Sequence, residues 1–503
     1  MNRRAGIFFS ALIVAIGGII YELIIGTVSS YLLGNSILQF SLTIGLFLFG
    51  MGLGSLLVPY FKRPPEEKFV LIESAIAVIG GNAPLILFSS FAFTDLFQWV
   101  FVIIVLTIGI LIGFEIPTML QIVADKEKMI QLVSKILALD YLGALVASIV
   151  FPLVLLPYLG IIRTSYFVGI ANLAIATLIF WAFRAYIKIR KIITVILLLC
   201  FLLLGIGLTY SNQIAWFLDH KLYQDEVMYS EQTSYQKLVL TRYKDDIRFF
   251  LDGSIQFSSI DEYRYHEPLV HIPMGLTRNR YKILILGGGD GLATRELLKY
   301  PEIKQIEIVD LDRQVTKLAS SYKLLTQLNK NSLKDPKVKI INQDALKFLE
   351  NSSELFDVII ADLPDPNNEG LAKLYSREFY RLVGRHLAED GIFVTQATSP
   401  YFSTETFWII KNTIEVEGLH TLPYHVSVPS FGEWGFILAS KTEIDKNQAK
   451  ILVSTKFLTK EVVETFFVFD NDLLPTKETD EINTFYNPII LKTYEEDARR
   501  WQP

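Results

Sequence analysis

The sequence predicts a multi-pass α-helical membrane domain followed by an α/β domain built on a parallel, nucleotide-binding sheet. Two observations support this prediction. Hydrophobic residues make up 51% of the 503-residue chain, and their excess is concentrated before about residue 210. Beyond that point, short apolar runs alternate with helical patterns, and one apolar run ends in a glycine-rich turn, which is the arrangement of an α/β fold.

The first part of the chain contains apolar segments of about twenty residues each, which is the length that spans a bilayer. Seven such segments lie near 7–29, 38–60, 69–91, 98–120, 139–158, 164–184 and 191–210. The first is too long for a signal peptide and lacks a clear small-residue cleavage site, so we expect an anchor. Residues 1–210 are therefore predicted to form a transmembrane domain in the cell (inner) membrane.

Basic residues cluster in alternate loops between these segments. The clusters are Arg3 and Arg4; Lys62, Arg63 and Lys68; Lys126, Lys128 and Lys135; and Arg184, Lys188, Arg190 and Lys191. The positive-inside rule places these loops in the cytoplasm. Seven spans would then put everything after about residue 210 on the outer side, whereas one span more or fewer would put it in the cytoplasm.

Four acids interrupt the apolar segments: Glu22, Glu73, Glu115 and Asp140. Acids inside a membrane domain are costly, and each is a candidate functional residue. Two interpretations remain open. The acids are either satisfied within the helix bundle or near its interface, or they form a path that binds cations.

A linker and a small β-hairpin domain are predicted at residues 211–275. Alternating runs at Tyr235 to Thr241, Arg248 to Leu251 and Ser254 to Phe257 are typical of strands. Asp252-Gly253 between the last two runs predicts a tight hairpin turn.

The α/β domain, predicted over residues 276–440, begins with an apolar run that leads into Gly287-Gly288-Gly289-Asp290-Gly291. A helical pattern follows, and the next apolar run ends at Asp310. Glycines let the backbone approach a ligand closely, and an acid about twenty residues later is placed to accept hydrogen bonds from a ribose diol. This pattern indicates a nucleoside ligand.

Three more acids follow later strands. Asp344, before Ala345, ends one apolar run, and Asp362 and Asp365 end the next on a proline-containing turn. Ligands bind at the carboxyl edge of such sheets, so Asp344 could meet an adenine amino group, and Asp362 and Asp365 are placed for chemistry. The strand order predicts a class I methyltransferase-like (Rossmann-like) sheet. The alternative interpretation is that residues 362–366 form a simple turn with no role in chemistry.

Several function classes are disfavoured by composition. The net charge is −5 and no basic patch carries interleaved aromatics, so we expect no nucleic-acid partner. The single cysteine, Cys200, excludes an intramolecular disulfide, and no Cys/His cluster has metal-ligand spacing. We therefore expect no metal. The C-terminal extension, 441–503, shows no chemistry that we can identify.

Together these motifs resemble the aminopropyltransferase family, the spermidine synthases, over about residues 233–440. With the apolar half, the chain resembles the membrane-fused bacterial branch of that family. The motifs are Tyr235-Gln236, Leu251-Asp252-Gly253 with Gln256, Asp261-Glu262 through Tyr265-His266-Glu267, Gly287 to Gly291, Asp310 with Asp312, Asp344-Ala345, Asp362 with Asp365-Pro366, and Thr395-Gln396-Ala397.

The resemblance implies transfer of the aminopropyl group of decarboxylated S-adenosylmethionine to a polyamine acceptor, with putrescine giving spermidine and methylthioadenosine. The displacement needs no metal and no further cofactor. The expected partners are therefore polyamine and nucleoside substrates, a lipid bilayer, and copies of the same chain in a homo-oligomer (dimer or tetramer). A cytosolic donor would place the catalytic domain in the cytoplasm.

The resemblance also implies residue roles. Asp362 would accept the proton. The amine would contact Tyr265, His266, Asp290 and Asp365. The nucleoside donor would contact Gln236, Gly287, Gly288, Gly289, Asp310, Asp344 and Ala345.

Two departures from the family pattern leave details open. Asn367 to Gly370 replaces a Val-Gly-Pro turn that commonly contacts the nucleoside. Pro429 to Gly435 replaces a Tyr-Pro-Ser-Gly pattern whose tyrosine lines the amine pocket, so the acceptor could differ from putrescine.

Two other functions remain as alternatives. An S-adenosylmethionine-dependent methyltransferase would use the same sheet, but Asp290 would repel the carboxylate of that donor. A membrane protein that binds or transports polyamines would rely on Glu22, Glu115 and Asp140.

Overall fold

The computed structural model describes residues 3–123, 129–223, 225–475 and 480–501. The chain divides into two compact units, Met1–Thr241 and Arg242–Pro503. Lys126 and Lys128, from one of the basic clusters, lie outside the described residues.

The first unit is mainly helical. Its elements are α1 (Arg3–Leu33), α2 (Ser36–Leu57), α3 (Pro65–Phe93), α4 (Phe97–Gly113), α5 (Glu115–Val123), α6 (Met129–Val150), α7 (Leu156–Ala182), α8 (Arg190–Thr209), α9 (Ser211–Leu222), β1 (Glu226–Gln232) and β2 (Lys237–Tyr243). The division between the units falls within β2.

Six helical stretches in the described part of the chain are long and apolar enough to cross a membrane, against seven apolar segments in the sequence. The difference lies in the 54-residue stretch Met129–Ala182, which includes both 139–158 and 164–184. A π-helical turn, Phe151–Leu155, joins α6 to α7, and the backbone of Gly160 is non-helical with φ 70° and ψ 175°. The number of crossings therefore stays a prediction.

Helices α2 and α4 approach each other closely through glycines. A Cβ atom on Gly54 would lie 2.0 Å from the carbonyl oxygen of Ile110, and one on Gly109 would lie 2.6 Å from that of Phe47. Side chains at these positions would separate the helices, so the glycines serve packing here.

The second unit combines nine strands and ten helices in its described residues. The strands are β3 (Asp246–Leu251), β4 (Ser254–Ser258), β5 (Lys282–Gly287), β6 (Gln305–Asp310), β7 (Val338–Asn342), β8 (Phe356–Asp362), β9 (Leu387–Gln396), β10 (His420–Val428) and β11 (Gly432–Ser440). The helices are α10 (Tyr263–Leu276), α11 (Leu292–Leu297), α12 (Arg313–Ser321), α13 (Lys323–Leu328), α14 (Ala345–Asn351), α15 (Glu369–Ala372), α16 (Arg377–His386), α17 (Thr404–Glu415), α18 (Lys460–Thr465) and α19 (Ile489–Arg499).

Seven strands form one sheet in the order β10-β11-β9-β8-β5-β6-β7. Strands β5 to β9 pair in parallel, whereas β11 pairs antiparallel with both β9 and β10. Alternate residues of β5 face opposite cores: Ile283 and Ile285 belong to one buried cluster, and Leu284 and Leu286 to the other. Burial on both faces explains the unbroken apolar runs.

The predicted hairpin turn is also present. Strands β3 and β4 pair antiparallel around Asp252 and Gly253, whose φ angles of 47° and 82° are those that a tight hairpin turn requires.

Candidate active site

The glycine turn lies directly against the end of β8. Gly287 and Asp362 are neighbours in the register of β5 and β8, and the Gly288 N–H donates to the Asp362 carbonyl at 3.1 Å. Gly287 has φ +84°, and a Cβ there would lie 2.0 Å from that carbonyl oxygen. Only glycine fits this position, because any side chain would push the two strand ends apart.

Asp310 is fixed against the same turn. Its Oδ2 accepts a hydrogen bond from the Gly289 N–H at 3.1 Å, and its Oδ1 accepts one from the Asp312 N–H at 2.9 Å. Burial raises the pKa of Asp310 to about 7, although both hydrogen bonds oppose the shift. The carboxyl is thus held at the carboxyl edge of the sheet, beside the glycine backbone.

Asp290 lies in the turn, two residues before α11 begins. Its Oδ1 accepts a hydrogen bond from the Leu292 N–H at 2.8 Å. Burial raises its pKa to about 6, with the positive charge of His266 opposing the shift and the negative charge of Asp362 adding to it. The turn therefore presents an acid close to two other ionisable groups.

Asp362 has a hydroxyl partner on one oxygen and faces the glycine turn with the other. The Tyr265 hydroxyl donates to Oδ1 at 2.8 Å, and Oδ2 lies 3.2 Å from the position that a Cβ on Gly288 would take. Burial raises the pKa of Asp362, against the charge of His266 and the bond from Tyr265. A buried carboxylate with one engaged oxygen can accept a proton on the other.

His266 supplies positive charge to this cluster. Its Nδ1 donates to Glu262 Oε2 at 3.0 Å. Burial alone would lower the pKa of His266, but the hydrogen bond and charge of Glu262 and the charges of Asp290 and Asp362 raise it to about 9. His266 is therefore a cation at neutral pH.

Arg295 holds Glu262 in place from the opposite side. Its two terminal nitrogens donate to the two carboxylate oxygens of Glu262, each at 2.9 Å, which is the bidentate geometry that fixes a carboxylate most firmly. Sequence reasoning missed Arg295, which lies on α11, the helix that begins just after Asp290.

Asp365 is anchored by residues far along the chain. The Tyr494 hydroxyl donates to Oδ2 at 2.9 Å, and Gln396 Nε2 donates to Oδ1 at 3.3 Å. Burial raises the pKa of Asp365 to about 6, and both hydrogen bonds oppose the rise. Tyr494 lies on α19 in the C-terminal extension, where the sequence showed no identifiable chemistry, and no local pattern signals this contact.

Aromatic rings surround Tyr265. Phe431 meets it edge-on at 5.9 Å between ring centroids, and Trp434 lies at 6.4 Å. Asp261 fixes the turn that carries these rings, because its carboxylate accepts the Ser430 N–H at 2.7 Å and hydroxyl at 3.0 Å. The unusual 429–435 segment thus places aromatic side chains beside the acids.

Asp344 and Ala345 begin α14 at the same edge of the sheet. Asp344 Oδ1 accepts the Lys347 N–H at 3.2 Å, and Oδ2 pairs with Lys373 Nζ at 2.6 Å. These contacts outweigh burial and lower the pKa of Asp344. Gln236 lies in the first unit, in the turn between β1 and β2, so its role at the nucleoside stays a prediction.

The structure therefore groups Tyr265, His266, Asp290 and Asp362 around the glycine turn. Among the described residues, the carboxylates of Glu262, Asp290 and Asp362 interact with His266, and Glu262 also interacts with Arg295, so carboxylates outnumber cationic side chains there. Across the described ranges, no group of three or more His, Cys, Asp or Glu residues is spaced to hold a metal ion.

The second unit and the whole chain both have relatives among known proteins. The family model for the spermine/spermidine synthase domain matches residues 262–450. A polyamine aminopropyltransferase from Leptospira interrogans is 42% identical over 99% of both chains. One from Oceanobacillus iheyensis is 43% identical over 97% of this chain and 96% of the relative.

A solved structure, spermidine synthase in complex with the transition state analogue AdoDATO, is 30% identical to this chain. The match covers 49% of this chain and 86% of the solved chain, with a TM-score of 0.46. The two full-length relatives match the helical as well as the α/β unit. The chain therefore belongs to the polyamine aminopropyltransferase family and is an aminopropyltransferase.

Proposed function

We propose that the enzyme transfers the aminopropyl group of decarboxylated S-adenosylmethionine to a primary amine of putrescine, releasing spermidine and methylthioadenosine. The observation that carries this proposal is the buried Tyr265–Asp362 pair at the end of β8, directly beside the glycine turn. This arrangement puts a proton acceptor next to the place where a nucleoside donor would lie.

The donor would lie along the carboxyl edge of β5, β6 and β7. In this proposal the backbone of Gly287, Gly288 and Gly289 approaches the donor, Asp310 accepts hydrogen bonds from the ribose, and Asp344 faces the adenine. Gln236, from the family resemblance, would add a contact to the nucleoside.

The charge of the turn favours the decarboxylated donor over S-adenosylmethionine. Asp290 adds a buried carboxyl close to Asp362, and its charge attracts the donor's sulfonium and amine. A methionine carboxylate at the same place would be repelled. This is the reason to prefer aminopropyl transfer over methyl transfer as the chemistry of the sheet.

The reaction is a direct displacement. The amine nitrogen attacks the carbon next to the sulfonium, a C–N bond forms, and the C–S bond breaks with its electron pair left on sulfur. An alkylammonium has a pKa of about 10.4, so at neutral pH it must lose a proton before it can attack. Asp362 Oδ2 would take that proton while the Tyr265 hydroxyl keeps Oδ1 engaged.

Asp365 would hold the amine that does not react. Its carboxylate is kept in position by Tyr494 and Gln396, and a diamine needs a second anionic contact to align its reacting end. The rings of Phe431 and Trp434 would then cover the methylene chain between the two nitrogens.

Product analysis of the purified full chain tests the proposal. The enzyme is incubated with putrescine, cadaverine or spermidine and with either donor, and products are identified by mass spectrometry. We expect spermidine and methylthioadenosine from putrescine with the decarboxylated donor. Methylated amine, with no aminopropylated product from any acceptor, would overturn the proposal.

We further propose that the helical unit lies in the inner membrane with the catalytic unit in the cytoplasm, as a homo-oligomer. The six apolar helical stretches support the placement in the membrane, and the basic loops support the orientation. The homo-oligomer is proposed from the family resemblance. Protease treatment of spheroplasts and of inside-out vesicles tests the side, and digestion of the second unit in intact spheroplasts would contradict it.

A further inference from the structure

The helical unit contains a pair of buried carboxyl groups. Glu73 on α3 is 0% exposed, and Glu115 at the start of α5 is 5% exposed. The two carboxyl groups are close enough to interact electrostatically. Two ionised carboxylates can only accept hydrogen bonds, so a pair of them buried in apolar surroundings must be neutralised.

Three of the four carboxylate oxygens of this pair have no hydrogen-bond partner in the described part of the chain. Both oxygens of Glu73 and Oε1 of Glu115 are buried without a hydrogen-bond partner there. Lys68, five residues before Glu73 on α3, donates its Nζ to Gln121 at 2.7 Å. The nearby cation is thus engaged elsewhere.

Other unpaired polar groups surround the pair. Thr118 follows Glu115 on the same face of α5, and its buried hydroxyl has no partner in the described ranges. The buried hydroxyl of Tyr21 on α1 is equally unpaired and interacts electrostatically with both acids. Asp140 on α6 interacts electrostatically with Glu115. Oxygen atoms from four helices therefore converge on this part of the bundle.

We propose that Glu73 and Glu115 bind a protonated amino group of a polyamine, at a site separate from the catalytic acids. A primary ammonium carries one positive charge and three N–H donors, which suits the three unpaired carboxylate oxygens. A proton shared between the two carboxyl groups would engage at most two of these oxygens. Asp140 would pair with a second ammonium of the same molecule. We therefore propose a polyamine as the ligand rather than an amine with a single ammonium group.

Binding of radiolabelled spermidine to the full chain in nanodiscs, without donor, tests the proposal. We expect about two equivalents of spermidine per chain in two binding phases. One phase is binding at the catalytic acids, and the second phase is binding at Glu73 and Glu115. In Glu73→Gln and Glu115→Gln, we expect the affinity of the second phase to weaken at least tenfold, because one charged partner of a buried contact is removed. Glu22→Gln is the matched control, since Glu22 is a partly buried acid of the same unit outside the pair, and it keeps both phases.

Two further measurements distinguish polyamine binding from misfolding of a variant and from binding of an alkali ion. Thr118→Val preserves shape and charge, and we expect it to weaken the second phase several-fold, so the test survives if a glutamate variant fails to fold. Spermidine binding is also measured in sodium chloride and in choline chloride, which tests whether an alkali ion competes for the site. A single equivalent in the parent, two unchanged phases in both glutamine variants, or competition by sodium at millimolar concentration would each overturn the proposal.

Discussion

Both units contain buried acids, but the acids have different surroundings. In the α/β unit, Asp362 accepts a hydroxyl hydrogen bond from Tyr265, Asp365 accepts one from Tyr494, and Asp290 lies near the cation His266. In the helical unit, three of the four carboxylate oxygens of Glu73 and Glu115 have no hydrogen-bond partner among the described residues. The acids that we propose as catalytic are thus held in position by the protein itself, whereas the helical pair, in our proposal, depends on a bound cation.

The largest expected effect follows from neutralising the central acid of the α/β unit. Asp362→Asn keeps the shape of the side chain and its bond to Tyr265 but removes the proton acceptor. We expect kcat to fall by about 10²–10⁴, which is the usual contribution of a general base. Steady-state kinetics over a range of acceptor concentrations at saturating donor measure kcat and KM, and a rise in the KM for the acceptor with an unchanged kcat would show that Asp362 only binds the amine.

The next effect tests the close fit of the glycine turn. In Gly289→Ala, the new Cβ would lie 2.3 Å from Asp310 Oδ2, so the carboxyl must move. Such overpacking costs about 1–3 kcal/mol, and we expect the KM for the donor to rise about tenfold to a hundredfold. Gly384→Ala is the control, because its Cβ would meet Leu419 only at ordinary contact, 3.8 Å. Equal KM values in the two variants would contradict a donor site at this turn.

A smaller effect tests whether the C-terminal extension serves the site. Tyr494→Phe removes the hydroxyl that donates to Asp365. A hydrogen bond to a charged group contributes about 1.5–3 kcal/mol, so the KM for the acceptor should rise about tenfold or more while the KM for the donor stays unchanged. Tyr486→Phe, at a residue that is 96% exposed, is the matched control and should leave both constants unaltered.

The smallest effect concerns pH. Burial raises the pKa values of Asp290 and Asp365 to about 6, so protonation between pH 7 and pH 5 removes negative charge that attracts the amine. We expect kcat/KM for the acceptor to fall about tenfold over that range. These folded-state pKa values exceed the ordinary value of about 3.9, so the folded protein binds the two protons more tightly than the unfolded chain does. The two carboxyl groups therefore add to the free energy of unfolding at low pH, and this contribution is lost as pH rises through about 6. A profile that is flat from pH 7 to 5 would contradict this assignment.

Local patterns in the sequence predicted the glycine turn, the acids at the strand ends and the β3–β4 hairpin, since each depends on neighbouring residues. Contacts between distant residues were not predictable in this way. Tyr494 reaches Asp365 across 129 positions, and Glu73 meets Glu115 from another helix. Strand β10 was also missed, because its partial burial gives only a weak alternating pattern.

The sequence and the structure divide the apolar part of the chain differently. The sequence places 139–158 and 164–184 in separate apolar segments. The structure continues helically through Phe151–Leu155 and breaks only at Gly160. Hydropathy detects where a chain becomes polar, whereas a helix ends where its backbone leaves helical geometry.

The pH dependence of single turnovers in Asp362→Asn tests the central claim most directly. If Asp362 takes the proton of the amine, the variant depends on acceptor that has already lost its proton in solution. Its rate should then rise about tenfold per pH unit toward the amine pKa of about 10.4, while the parent levels off at lower pH. Parallel profiles for the variant and the parent would contradict the claim.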